Sequence, residues 1–66
     1  MNERTVDLYE QASLFASEEE NPTKSYKDRV MLKFAELIVL ECASIADSAE
    51  PFLASDLIKE HFGVDQ

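Results

Sequence analysis

The side chains that could do chemistry in this chain are few and poorly matched to one another. One cysteine, Cys42, and one histidine, His61, stand among fourteen acidic residues. A nucleophilic cysteine needs its thiolate stabilised by a nearby cation or a helix N-terminus, and Glu41 beside Cys42 works in the opposite direction. Cys42 is therefore read as a small packing residue within an apolar face. A lone Cys and a lone His cannot close a structural zinc site within one chain, nor can a single Cys form an intrachain disulfide. His61 lies near the end of the last apolar segment, where a protonated imidazole is favoured by the helix dipole and can satisfy a final carbonyl. That structural role is preferred over an anion contact or a metal site shared between chains.

Glu36, Glu41, Asp47, Glu50, Asp56 and Glu60 could in principle supply a carboxylate pair, and Glu60 adjoins His61. Their spacing matches no di-metal Glu-x-x-His pattern, and the sequence holds no HExxH, no GxSxG and no glycine-rich phosphate loop. No catalytic residue, cofactor or metal is expected, and the protein is read as non-enzymatic. The carboxylates fit a solvated helical surface. Glu41 is the exception, because it falls inside an apolar face and is expected to pair with a basic residue of another chain. Lys24, Lys27, Arg29 and Lys33 place four of the six basic residues within ten positions. They form a candidate anion-binding site at a helix start, although pairing with the Glu18, Glu19 and Glu20 run across the preceding loop is the favoured explanation.

Three segments must position these groups. From Asn2 to Ala16 the apolar residues Leu8, Ala12 and Phe15, with Val6 and Tyr9 alongside, follow helical spacing, and Asn2 can cap the start. The stretch from Ser17 to Thr23 is an acidic loop broken by Pro22, which biases Asn21 away from helix. Lys27 to Ala49 contains no Gly or Pro and forms the central helix. Ser25 and Asp28 resemble a capping box at its start, with Thr23 or Asn21 as alternatives. Val30, Phe34, Leu37, Ile38, Glu41, Cys42, Ile45 and Ala49 share one broad face, widened by Met31, Ala35, Val39 and Ala46.

Pro51 ends this helix and a last one follows, beginning at Pro51 or at a Ser55 cap and presenting Phe52, Leu53, Leu57, Ile58 and Phe62. Gly63 is placed to be the left-handed residue beyond it, with Val64 folding back onto Ile58. The expectation is one all-α domain over residues 1–66. Its helices span about 2–16, 25–49 and 51–62, with the acidic loop over 17–23.

Sixty-six residues bury a small fraction of their surface, so a staple or a partner is expected. Leu37 to Leu40 are four consecutive apolar residues that cover every direction around one helical turn, which two short flanking helices can hardly enclose. The expected solution is a helical-bundle homodimer or higher oligomer, self-associating through Phe34, Leu37, Ile38, Leu40, Glu41, Cys42 and Ile45. A formal charge of −8 opposes direct binding to nucleic acid or to anionic membranes. The opening residues MNERTVDLYEQ lack the apolar core of a signal peptide, and no apolar run approaches membrane-spanning length. A reducing cytoplasm is the expected compartment.

The sequence resembles a group of small uncharacterised proteins of tailed bacteriophages. The resemblance is carried by Leu8-Tyr9-Glu10-Gln11-Ala12, by Lys33 to Ala43 (KFAELIVLECA) and by Ile58 to Val64 (IKEHFGV), about half of the chain. Leu40 departs from the pattern, which leads one to expect Arg there. The resemblance implies a phage accessory protein in the host cytoplasm, and brings no assigned activity with it. The acidic surface is expected to engage a basic patch on a host protein, with inhibition of host transcription or defence as a candidate outcome. An oligomer that sequesters a small anionic signalling nucleotide through Lys24, Lys27, Arg29 and Lys33 is the alternative.

Overall fold

The computed structural model describes residues 2–20 and 22–64, with no account of the Pro51 side chain. It is all-α. Helix α1 spans Glu3–Ser17, α2 spans Tyr26–Ser48, and a short 3-10 turn over Pro51–Leu53 leads into α3, Ala54–Phe62. Asn21, the residue expected to bend ahead of Pro22, lies outside the described residues.

Local chemistry accounts for each boundary. The Asn2 side chain accepts from the Arg4 backbone N–H at 3.2 Å and so caps α1. Ser25 Oγ accepts from the Asp28 N–H at 3.2 Å, which makes Ser25 the cap of α2. At the other end Ala49 and Glu50 are extended, as a residue before proline prefers. Pro51 starts only a 3-10 turn, closed by the Leu53 N–H on the Glu50 carbonyl at 2.8 Å. The α-helix then begins at Ala54, so Ser55 lies inside α3 and is not its cap.

Gly63 ends α3 at φ 68°, in the left-handed region. The Gly63 N–H donates to the Glu60 carbonyl and the Val64 N–H to the Lys59 carbonyl, the paired bonds of a Schellman motif. A second reason fixes glycine there, because a β-carbon at this position would stand 3.0 Å from Asn2 Cβ.

The α1–α2 pair forms the largest interface. It is an antiparallel hairpin whose register is marked by Arg4 beside Glu41, Tyr9 beside Phe34 and Ala16 beside Arg29. Helix α3 folds back along the C-terminal half of α2 and closes on the start of α1. There Asn2 donates through its backbone N–H to the Phe62 carbonyl at 3.0 Å and through Nδ2 to the His61 carbonyl at 2.8 Å. One residue thus caps the start of α1 and the end of α3.

The buried core is Leu8, Ala12, Ala16, Val30 and Phe62, with Phe34 and Leu37 packed against its middle. On α1 the inward row is 8, 12, 16. Phe15, placed on that row by its sequence spacing, is instead half exposed, because Ala16 lets the two backbones approach while Phe15 swings outward under Lys33. On α3 Phe62 is buried and Ile58 half-buried, whereas Phe52, in the 3-10 turn before it, is 78% exposed. The molecule measures 43 × 20 × 15 Å with a radius of gyration of 13.9 Å. A globular chain of this length would have a radius of about 11 Å. The single long helix sets this shape, and two short neighbours cover only one side of it.

Candidate functional site

Among the described residues Glu41 is the best-partnered side chain. Arg4 Nη2 donates to its Oε1 at 2.6 Å and Arg4 Nε to its Oε2, a bidentate fork. His61 Nε2 lies 2.8 Å from the same Oε2 and donates to it, since a carboxylate can only accept. All three helices therefore meet on one carboxylate. The Arg4 guanidinium, against the opposing effect of burial, holds the Glu41 carboxyl at about 2, and Arg4 is in turn raised by Glu41. The side chains are 38% exposed for Arg4, 18% for Glu41 and 38% for His61.

This corrects the expectation that Glu41 pairs with another chain, since both oxygens are occupied from within. Chemically the cluster is a clamp: the acid is held ionised and fully engaged, which suits neither proton transfer nor nucleophilic attack. Of the six basic residues only Arg4 and Lys59 lie outside the 24–33 cluster. The apolar setting of Glu41 signalled an ion pair, and those two residues were the available in-chain partners.

The basic end of α2 is spent in part on the fold. Arg29 Nη1 donates to the Ala16 carbonyl at 2.5 Å and Nε to the Lys24 carbonyl at 3.1 Å, so this side chain ties the end of α1 to the loop. Its guanidinium also lies 3.9 Å from Glu19, an ion pair with the acidic loop. Lys33 sits 3.2 Å from Glu36 and 4.2 Å from the Phe15 ring centre. Lys24, Arg29 and Lys33 converge with Thr23, Phe15 and Leu32 on a shallow groove of about 270 Å³, whose wall also carries Glu19 and Glu36. Lys27 lies outside that lining.

Of the residues expected to self-associate, Phe34, Leu37, Ile38, Glu41, Cys42 and Ile45 are half-buried within the chain, and Leu40 is 58% exposed. Cys42 is a free thiol. The turn at Leu37 to Leu40 is thus covered on one side only, with Val39 64% exposed. The uncovered side of α2 continues through Met31, Leu32, Ala35, Val39, Ala43 and Ala46, all exposed. Ala35, Val39 and Ala46 look like the margin of the inward face by their sequence spacing. They are separate from it because 100° per residue carries them to the far side of the cylinder.

Among the described residues no group of three or more His, Cys, Asp or Glu is placed to hold a metal ion, and no helix is long and apolar enough to cross a membrane. Comparison of the chain with protein families, curated proteins and solved structures finds no match.

Proposed function

We propose that this chain is a non-enzymatic accessory protein of a tailed bacteriophage. It works in the host cytoplasm by binding a host protein, as a small acidic α-helical homo-oligomer. What supports this is the uncovered apolar side of α2: six exposed apolar residues from Met31 to Ala46 on the far side from the core. Contiguous apolar surface of this kind marks an interaction site. The polar residues that could have carried chemistry are meanwhile absorbed by the fold, Glu41 and His61 in the clamp and Arg29 at the end of α1. The phage assignment comes from the sequence resemblance alone.

In this scheme the oligomer buries the apolar side of α2, and the acidic surface engages a basic patch on the host protein, inhibiting host transcription or defence. Affinity capture from host extract at two salt concentrations tests it. One host protein retained at low salt and released at high salt is the expected result. Capture of nothing beyond the chain itself would contradict it.

A second reading has its own support in the groove at the start of α2, where Thr23, Lys24, Arg29 and Lys33 surround Phe15 and Leu32. Cations around an aromatic floor suit a small anionic nucleotide that takes the place of Glu19 and Glu36 on Arg29 and Lys33, held by an oligomer that sequesters it. A thermal-shift screen against nucleotides should then show stabilisation that Lys24→Glu and Lys33→Glu abolish. A flat response across the panel removes this reading.

A further inference from the structure

The exposed side of α2 has a spacing of its own. Leu32, Ala35, Val39, Cys42 and Ala46 recur at intervals of three and four, the a and d positions of a heptad, over about 21 Å of helix. Cys42 lies at the inner edge of this row and the other four are exposed. Met31, Glu36 and Ala43 flank it, and none of the five positions of the row is charged. Two alanines in the row allow close approach of a second helix.

Charge selects the partner and its direction. Residues 24–33 carry Lys24, Lys27, Arg29 and Lys33 against one acid, Asp28, whereas residues 34–50 carry Glu36, Glu41, Asp47 and Glu50 and no basic side chain. Removing the groups already engaged within the chain, Arg29, Glu41 and the Lys33–Glu36 pair, leaves Lys24 and Lys27 at the start and Asp47 and Glu50 at the end, so the contrast holds. The helix is positive at its start and negative at its end. A second copy laid antiparallel sets Lys24 and Lys27 near the partner's acidic end, and a parallel copy sets like charge beside like.

We propose that two copies of this chain pack α2 against α2 antiparallel, around a two-fold axis at Val39. This places Val39 against its own counterpart, Leu32 near the second copy's Ala46, and the basic start of each helix beside the acidic end of the other. The inference rests on the homo-oligomer reading above and specifies its interface.

Disulfide trapping tests the direction. In a Cys42→Ser background, the variants Val39→Cys, Leu32→Cys and Ala46→Cys each carry one thiol on the exposed face, and circular dichroism confirms that each is folded. In the antiparallel dimer, position 39 lies beside itself, whereas the two copies of position 32 are about 21 Å apart along the axis. Bridging needs Cα atoms within about 7 Å.

Mild oxidation should therefore cross-link Val39→Cys alone. Leu32→Cys and Ala46→Cys should stay monomeric on a non-reducing gel when separate, and should form a mixed dimer when combined. Efficient self-cross-linking of Leu32→Cys and of Ala46→Cys, or none by Val39→Cys in a protein that light scattering finds dimeric, overturns this interface and leaves the oligomer reading standing. A monomer by light scattering overturns both.

Discussion

On its inner side α2 turns Val30, Phe34, Leu37 and Glu41 toward α1 and α3, and on its outer side it leaves Leu32, Ala35, Val39 and Ala46 in solvent. The two sides differ in how they treat polarity. The inner side admits a charge, and every part of it is answered: Arg4 forks onto Glu41 and His61 completes the second oxygen. The outer row of Leu32, Ala35, Val39 and Ala46 admits none, with Glu36 at its edge, and nothing among the described residues covers it. A helix wrapped only by short neighbours needs one apolar stripe. A second stripe on the opposite side shows that the fold of one chain does not use all the apolar surface of its central helix.

The contrast can be broken at several points. The largest effect belongs to the inner side, where Phe62 is 3% exposed at the junction of α3 with the core. Phe62→Ala should cost about 3–5 kcal/mol. In a domain this small that leaves much of the chain unfolded, which urea titration followed by helical circular dichroism will register. A shift under about 1 kcal/mol would mean the inner side is not the stabilising one.

Next comes the closure at Asn2. Gly63→Ala forces a β-carbon into a left-handed residue and against Asn2, at about 1–2 kcal/mol for the backbone alone. Its effect should appear as a lower urea midpoint with an unchanged slope.

The clamp is tested by acid. Glu41 is held near 2 in the folded chain, below the ordinary 4.5, so its ionised form is favoured by folding. The stabilisation is complete above the ordinary value and drains away as pH falls from there toward 2. Glu41→Gln should therefore lower Tm at neutral pH, with the deficit shrinking through that acid window. Two parallel Tm curves would contradict the clamp.

The smallest effect should come from the outer side. With the chain dilute enough to be monomeric, Met31→Ser should change stability by no more than about 0.5 kcal/mol, as at other exposed positions.

Much of the fold can be read from local signals. The row from Val30 to Ile45 follows helical spacing and does face inward. Ser25, Asn2 and Gly63 act as caps because capping depends on residues within one turn. Three features escape such reading. Ala16 replaces Phe15 on the inner row of α1 because interhelix distance, which no single helix specifies, favours the smaller residue. The 3-10 turn at Pro51–Leu53 delays α3 past Ser55. The partner of Glu41 lies 37 residues away, across a hairpin register that only the packed helices define. At the basic end, the charge cluster was legible, but the role of Arg29 depends on where α1 stops.

Light scattering across a concentration series reads directly whether a second copy covers the outer side of α2, as proposed. The account predicts a species of twice the chain mass at micromolar concentration that reverts to the single-chain mass in Val39→Asp, with helicity retained. A single-chain mass at every concentration for the unaltered protein would contradict it.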